Sequence, residues 1–261
     1  MAADKRKPPT QISFQLYSSR KFPPLERQLE TLARIGYAAV EPWLPAYDAD
    51  PAEFRRQIDA AGLACFGFHM SFPGLVDEPQ RFMDMARTFG ASTLIVPSVP
   101  RGERVRDVDG WRRVGDGLRR GAELADAAGL RVAWHNHDFE YVRLADGKRP
   151  IDHIFEAAGP TVEFEIDCGW ITRAGTSVAD ELQRFAERIT IIQTKDMAPL
   201  GTVEEDGWTA TGDGIIDWKA LWPLFLSTPV EYFVVEHDDP ADWARFAERS
   251  YRYLKRIIDN G

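Results

Sequence analysis

Short apolar runs alternate with longer amphipathic segments along the whole chain. Eight of the runs have the length and the β-branched and aromatic content of buried parallel strands. They are residues 12–17, 38–43, 63–70, 92–98, 131–137, 161–170, 188–196 and 230–238. The segments between them carry apolar residues three and four positions apart, which predicts amphipathic helices.

Several of these predicted helices have clear boundaries. The helix after the first strand begins at Pro24 and ends before Gly36, as proline and glycine favour. Ser177 and Asp217 are suited to cap the starts of two later helices. The longest helix is predicted over residues 108–128.

Eight strand–helix units predict an α/β fold, a (β/α)8 TIM barrel. The chain has 261 residues, close to the usual size of this barrel, and no Gly/Ser-rich linker divides it. We therefore predict one barrel domain over residues 11–261, after a disordered segment at residues 1–10. A doubly wound sheet is the alternative, but its glycine fingerprint is missing after the first strand.

Charge and composition narrow the range of partners. The net charge of −9 opposes binding to nucleic acid. The sequence has no apolar stretch long enough for a membrane span and no secretory signal. We expect a cytoplasmic protein with reduced thiols at Cys65 and Cys168 and with a small-molecule partner. A homo-oligomer is left open.

Polar side chains follow four of the predicted strands. In a parallel barrel the carboxyl ends of all strands open onto one mouth, so side chains distant in sequence can converge there. Asp167 and Glu236 are the strongest candidates, because each follows an apolar run. A buried carboxylate needs a cation or several donors. We therefore expect one divalent metal (Mn, Mg, Co or Zn), although a salt bridge to Lys195 is the structural alternative.

The remaining polar strand ends suggest the catalytic groups. His135 and His137 are two residues apart and face the same side of a strand, so they could supply a metal ligand and a proton donor. Gln193 and Lys195 share a face by the same rule, and Lys195 could neutralise a developing oxyanion. Glu236 is the predicted base, with His135 or His137 as the acid.

A further set of residues is predicted to contact the substrate. His69 and Glu41 end the third and second strands, although a lone histidine there is often a satisfied core residue. Aromatic side chains could stack on a sugar, and the glycine-rich loop 198–216 could fold over it. The predicted substrate-binding residues are Glu41, His69, Trp170, Gln193 and Trp208.

Eight sequence segments together resemble a known family. In chain order they are ISFQLYS, GYAAVEPW, GLACFGFHMSF, WHNHDFEY, FEIDCGWITRAG, QTKDM, TGDGIID and VVEHDD. They resemble the sugar phosphate isomerase/epimerase family, which has the xylose isomerase-like TIM barrel, and in particular its HNHDFE branch. The resemblance covers nearly the whole chain.

The resemblance also implies a set of metal ligands. The family usually holds one divalent metal with Glu, Asp, His and Glu from strands five to eight. The matching positions here are His135, Asp167, Gln193 and Glu236. His135 stands where the family usually has Glu, and Gln193 stands where it usually has His. The departure at Gln193 is the larger, because an amide oxygen binds these metals more weakly than an imidazole does.

The expected activity is that of a sugar isomerase or epimerase. It would remove a proton next to the carbonyl of a keto-sugar or cyclitol. The resemblance implies that a metal assists this step. A lyase or dehydratase acting on a 3-keto sugar or inosose is the first alternative. A non-catalytic sugar-binding or partner subunit with an impaired metal site is the second, because of Gln193. No phosphate cradle is evident, which favours an unphosphorylated sugar.

Overall fold

The computed structural model describes residues 11–100, 104 and 107–260, so the predicted disordered segment 1–10 lies outside the described residues. The described part of the chain alternates strands and helices in the predicted order. Its strands are β1 (Ile12–Gln15), β2 (Ala39–Glu41), β3 (Gly67–His69), β4 (Thr93–Val96), β5 (Arg131–His135), β6 (Glu163–Asp167), β7 (Ile189–Gln193), β8 (Asp196–Met197), β9 (Trp208–Thr209) and β10 (Tyr232–Val235).

Strands β1–β7 and β10 form a single parallel barrel. They pair in the order β2-β1-β10-β7-β6-β5-β4-β3. The two ends of this order meet, because Ala64 forms a parallel bridge with Ala39 of β2. The amide of His69 on β3 also donates to the carbonyl of Pro42 at 2.8 Å. The predicted TIM barrel is therefore confirmed, while β8 and β9 form a separate antiparallel ribbon.

Helices surround this barrel and match the predicted amphipathic segments. They are α1 (Leu25–Ile35), α2 (Leu44–Tyr47), α3 (Pro51–Ala60), α4 (Phe72–Asp77), α5 (Pro79–Phe89), α6 (Val108–Ala127), α7 (Pro150–Ala158), α8 (Cys168–Arg173), α9 (Val178–Arg184), α10 (Trp218–Phe225) and α11 (Trp243–Asn260). The Ser177 and Asp217 side chains cap α9 and α10 as predicted. Among the described residues, no helix combines the length and apolarity needed to cross a bilayer.

All eight predicted strands are shorter in the structure than in the sequence pattern, and two of their ends have a clear local cause. β1 ends at Gln15 because its side chain accepts from the amide of Tyr17 and starts a 3-10 turn. β6 ends at Asp167, whose side chain caps α8 by accepting from the Trp170 amide. Helices α2, α4 and α8 were not predicted, since four to six residues are too few to display a helical period.

Side chains alternate between the barrel interior and the helical shell along each strand. On β10, Phe233 and Val235 belong to the core between strands and helices. The interior holds a separate small apolar cluster of Ile95, Ala133, Ile191, Tyr232 and Val234. Toward the carboxyl ends of the strands the buried interior positions become polar, and they are Gln15, Glu41, His69, His135, Glu165, Asp167, Gln193 and Glu236.

Candidate active site

A cavity of about 500 Å³ opens at the carboxyl ends of the strands. This volume suits a small-molecule ligand. Its walls include four aromatic side chains, those of Tyr17, Trp43, Phe139 and Trp170. Its polar lining includes His69, Arg104, His135, His137, Glu236 and Asp238.

Lys195 lies behind this lining at the centre of three carboxylates. Its Nζ atom is 2.9 Å from Asp238 Oδ1 and 3.7 Å from both Asp167 Oδ2 and Glu236 Oε1. The Lys195 side chain is only 1% exposed. Desolvation by burial lowers its pKa, but the three carboxylates outweigh that effect and raise the pKa above its usual value. Lys195 is therefore a buried cation, as both sequence interpretations required.

Burial changes the protonation of the two predicted acidic ligands. It raises the pKa of Glu236 to about 7, although Lys195 works in the opposite direction. Burial likewise raises the pKa of Asp167 well above its usual range, again against Lys195. Asp238 is also desolvated, but its contact with Lys195 lowers its pKa. Glu236 thus has a pKa suited to proton transfer near neutral pH.

The two predicted histidines stand together on the cavity wall. The rings of His135 and His137 are 5.0 Å apart, and His137 also packs against Trp170 at 5.2 Å. Burial lowers the pKa of both histidines well below the usual value. Both are therefore neutral imidazoles at neutral pH, able to bind a metal or to donate a neutral N–H.

A deeper polar layer lies beneath them and contains Glu165, which the sequence analysis did not select. Glu165 is fully buried, and its Oε1 accepts from Gln193 Nε2 at 2.9 Å. The same oxygen is 3.3 Å from His69 Nε2 and 3.3 Å from His135 Nδ1. The alternation of acidic and apolar residues in EFEID was the available signal, because it puts Glu165 and Asp167 on one face of β6.

Glu41 completes the deeper layer. Its Oε1 is 3.1 Å from His69 Nε2 and accepts from Gln15 Nε2 at 2.8 Å. Burial and the nearby Glu165 raise the pKa of Glu41 to about 7. Burial lowers the pKa of His69, but Glu165 and Glu41 outweigh it and raise the value to about 10. His69 is thus the protonated histidine of the site in the absence of a bound cation.

The backbone around Asp167 holds this carboxylate in place. Asn136 Oδ1 accepts from the Asp167 amide at 2.8 Å, and the Asn136 side-chain amide donates back to the Asp167 carbonyl. Asp167 Oδ1 accepts from the Trp170 amide at 2.8 Å at the start of α8. Gly169 lets α8 pass directly over Lys195, since a Cβ there would lie 2.8 Å from the lysine side chain.

Of the predicted substrate contacts, Glu41, Gln193, Trp208 and the loop 198–216 do not line the cavity. Trp208 packs behind Trp170 at 4.8 Å and under the guanidinium of Arg173, and it does not line the cavity. No residue of the loop 198–216 lines it either. Asp196 instead folds this loop by accepting from Trp218 Nε1 at 2.7 Å and Gly212 N at 2.8 Å. The loop's glycines therefore serve its own turns.

The remaining site predictions are brought together, although their roles stay predictions. His69, His135, His137, Trp170 and Glu236 line the cavity. Glu41, Asp167, Gln193 and Lys195 lie within the network directly behind it. Asp238 and Arg104 were not predicted, although Asp238 ends the eighth predicted run, two residues after Glu236.

The residues present fit a divalent cation. His135, Asp167 and Glu236 each offer one ligand atom, all within 4.8 Å of one another. In the described structure Asp167 Oδ2 and Glu236 Oε2 are buried without a hydrogen-bond partner. Unsatisfied buried polar atoms are costly, and a cation would satisfy them. Gln193 is oriented toward Glu165 instead, so its predicted role as fourth ligand stays a prediction.

Known proteins match most of the chain. Residues 29–257 match the family model described as xylose isomerase-like TIM barrel. An inosose dehydratase from Lacticaseibacillus casei is 26% identical over 273 residues, 90% of each chain. An inosose dehydratase from Clostridium beijerinckii is 25% identical over 163 residues, which span 56% of this chain and 54% of that protein.

Solved structures share the fold at low sequence identity. A sugar phosphate isomerase/epimerase from Parabacteroides distasonis superposes with a TM-score of 0.81 at 19% identity, over 94% of this chain and 93% of that one. The IOLI protein, solved with a zinc atom, superposes with a TM-score of 0.74 at 14% identity, over 96% of this chain and 98% of that one. A xylose isomerase-like barrel from Mycobacterium smegmatis, in complex with magnesium, superposes with a TM-score of 0.73 at 15% identity, over 96% of this chain and 97% of that one.

Proposed function

The chain belongs to the xylose isomerase-like TIM barrel family, and from that premise we propose that it moves protons next to the carbonyl of a keto-sugar or cyclitol. One observation carries the proposal: Glu236, a buried carboxylate on the cavity wall, lies 3.7 Å from the ammonium of Lys195. The base can remove a proton from carbon, and the buried cation beside it can stabilise the negative charge that forms on oxygen.

The proposed reaction begins with Glu236 as the base. It takes the proton from the carbon beside the carbonyl, and the C–H electron pair forms the enediolate. The neutral ring N–H of His137, on the cavity wall, donates to the developing oxyanion, while Lys195 supplies positive charge behind it. Returning the proton to the former carbonyl carbon, while the hydroxyl proton passes to the former carbonyl oxygen, gives an isomer. Returning it to the opposite face of the same carbon gives an epimer.

The metal would be held by His135, Asp167 and Glu236, whose ligand atoms lie within reach of one another. When bound, it supplies Lewis-acid polarisation of the carbonyl oxygen. Asn136 and the Trp170 amide fix Asp167, so this ligand is already oriented in the protein alone. Gln193 gives a weaker fourth position than the histidine found in the proteins that the chain resembles.

The aromatic walls suit a polyhydroxylated ring. Tyr17, Trp43, Phe139 and Trp170 offer apolar surfaces that can pack on the C–H faces of a sugar. Tyr17 and Trp43 already pack against each other with ring centroids 5.2 Å apart. Arg104 lies over Phe139 and adds a hydrogen-bond donor at the cavity rim.

Dehydration is a second candidate, favoured by the two relatives named inosose dehydratase. It shares the first step, after which a hydroxyl on the next carbon leaves as water and an enone forms. The leaving hydroxyl needs a proton donor. His69 lines the cavity and, in the absence of a bound cation at its ring, has a pKa raised to about 10 by Glu165 and Glu41, so it is then a suitable donor.

Solvent exchange tests the step that both candidates share. The protein is incubated in D2O with a panel of keto-sugars and inososes, with Mn²⁺, Mg²⁺, Co²⁺ or Zn²⁺ added. We expect NMR to show deuterium at the carbon beside the carbonyl. A new near-ultraviolet absorbance would identify elimination, and a new sugar signal would identify isomerisation or epimerisation. Folded protein that produces neither exchange nor a new product would overturn the proposal.

A further inference from the structure

The deeper polar layer holds its histidines and carboxylates at distances longer than those of charge-assisted hydrogen bonds. His69 Nε2 lies 3.1 Å from Glu41 Oε1 and 3.3 Å from Glu165 Oε1, and His135 Nδ1 lies 3.3 Å from the same Glu165 oxygen. Charge-assisted N–H···O bonds are usually about 2.7–2.9 Å long. His135 Nδ1 makes no hydrogen bond within the described structure.

The same distances fit ligands of a tetrahedral ion. Ligand atoms about 2.0–2.1 Å from a tetrahedral zinc lie roughly 3.4 Å from one another. His69, His135 and Glu165 each present one ligand atom, and all three atoms lie within 4.8 Å of one another. We propose that His69, His135 and Glu165, with Glu41 beside them, form a second cation site in the deeper layer, suited to Zn²⁺ or a similar divalent ion.

Unsatisfied buried atoms support this second site. Glu41 Oε2 and Glu165 Oε2 are both buried without a hydrogen-bond partner within the described structure. No lysine or arginine among the described residues forms a salt bridge with either carboxylate. Lys195, by contrast, lies 3.7 Å from both Asp167 and Glu236, the upper carboxylates. The deeper layer therefore has negative charge and free ligand atoms, but no permanent positive charge.

The two cation positions are distinct. Asp167 and Glu165 are two residues apart on β6, so their Cα atoms are separated by about 6.6 Å along the strand. His135 belongs to both groups of ligand atoms. With both ions bound it would bridge them as an imidazolate, with one nitrogen facing each layer and the ring proton released to solvent. The deeper ion would thus lie beneath the cavity floor, with His69 between it and the ligand space.

The second site also gives Gln193 a specific role. Its Nε2 donates to Glu165 Oε1 at 2.9 Å, which fixes the carboxylate between the two histidines. Hydrogen bonds of this kind orient metal ligands and are often needed for affinity. Gln193 is therefore a positioning residue for the deeper cation, in addition to being a departure from the family pattern in the upper set.

Metal stoichiometry tests the second site independently of catalysis. Chelator-stripped protein is titrated with Zn²⁺ alone by isothermal calorimetry. We expect two equivalents for the natural chain, one for Glu165→Gln and one for Glu236→Gln. Glu163→Gln is the matched control on the same strand, and it should retain two equivalents, because Glu163 is paired with Arg131 and lies outside both groups.

The alternative outcomes contradict the proposal. A single equivalent for the natural chain, or two equivalents for Glu165→Gln, would overturn it. Thermal unfolding followed by circular dichroism establishes that each variant is folded. Should Glu165→Gln fail to fold, His69→Gln takes its place, and it must also lose one equivalent. The absorption spectrum of bound Co²⁺ gives a second readout. Tetrahedral Co²⁺ in the deeper site should give an intense visible band, and this band should be absent from Glu165→Gln and from His69→Gln.

Discussion

Two clusters of buried charge in this protein differ in how well they are satisfied. Between α7 and α9, Arg149 donates to Glu181 at 2.7 Å and to Asp152 at 3.0 Å, and Arg184 reaches Asp152 from the other side at 3.0 Å. At the barrel mouth, Asp167, Glu236 and their neighbours keep buried oxygens that have no hydrogen-bond partner in the described structure.

The difference separates a structural role from a functional one. Buried polar groups are normally satisfied, because leaving one unpaired costs free energy. The Arg149 cluster follows that rule and joins two helices of the shell. The mouth breaks it at several atoms in one place, which is typical of a site that awaits a ligand. Buried charge alone would not have distinguished the two.

The protonation of the carboxylates follows the same division. Burial alone would raise the pKa of Asp152, but the hydrogen bonds from Arg149 lower it below the usual value. Burial raises the pKa of Asp167 well above the usual value for an aspartate, because the Lys195 ammonium at 3.7 Å offsets only part of the effect of burial. The paired carboxylate of Asp152 thus stays ionised, whereas the incompletely paired carboxylate of Asp167 can carry a proton.

The largest expected effect is the loss of activity in Glu236→Gln. The variant keeps the shape of the side chain but removes the base, so turnover should fall by about 10³-fold, within the usual range for general bases. Its stability should not fall, because an incompletely paired buried carboxylate has been replaced by a neutral amide. Exchange kinetics in D2O and thermal unfolding measure the two quantities.

A matched variant identifies the cause of that loss. Glu163→Gln makes the same chemical change at the other end of β6, outside the cavity lining, and should leave turnover unchanged. Turnover by Glu236→Gln comparable to that of the natural chain would assign the base elsewhere and remove Glu236 from the mechanism.

The second prediction concerns the satisfied cluster. Arg149→Met leaves Asp152 and Glu181 buried with fewer partners, so the free energy of unfolding should fall by about 3–5 kcal/mol. Activity per folded molecule should stay the same, because Arg149 is remote from the cavity lining. Urea unfolding gives the stability, and Arg112→Met serves as an exposed control with little expected change. Equal stability for Arg149→Met would mean that its satisfied hydrogen bonds do not stabilise the shell.

The third prediction uses the sign of the pKa shifts. The pKa of Glu236 is raised from 4.5 to about 7 in the folded state. The stability contributed by its proton is therefore lost as the pH rises from 4.5 through 7. Metal-free natural protein should lose roughly 3 kcal/mol relative to Glu236→Gln across that window, at about 1.36 kcal/mol for each pH unit.

The satisfied cluster should behave differently over the same range. The pKa of Asp152 is lowered from 3.8, so its contribution is lost only as the pH falls below that value. The stability difference between the natural chain and Asp152→Asn should thus be constant from pH 4.5 to 7.5. Urea unfolding at several pH values, with chelator present, gives both differences. A constant difference for Glu236→Gln as well would contradict the raised pKa.

Strand periodicity and strand-end chemistry made most of the fold and the upper site predictable. Asp167, Glu236 and Lys195 converge because parallel strands share one carboxyl edge, a property of the fold class alone. The short helices were not predictable in this way. Asp238 follows the end of β10 but ends the predicted run, and the same-face rule applied to His135 and His137 would have placed it beside Glu236.

The deeper layer was predicted only in part, for a different physical reason. His69 and Glu41 end their strands and were selected, but Glu165 lies inside a strand. A rule that examines only strand ends misses such a residue, although the alternation in EFEID places it in the interior. Trp208 was selected as an aromatic side chain that could stack on a sugar, yet its indole packs against Trp170 and under Arg173, outside the cavity lining.

The smallest expected effect is that of Gln193→His, which compares the two layers of the mouth. A histidine restores a nitrogen ligand to the upper set, so Zn²⁺ should bind there about tenfold more tightly, equivalent to about 1.4 kcal/mol. The same change removes the amide that holds Glu165 at 2.9 Å, so the deeper position should bind more weakly. Gln193→Asn is the control, because its shorter amide loses the contact with Glu165 and adds no nitrogen ligand. Calorimetric titration with Zn²⁺ should resolve the two steps, and an equal shift of both steps in Gln193→His would mean that the layers act as one site.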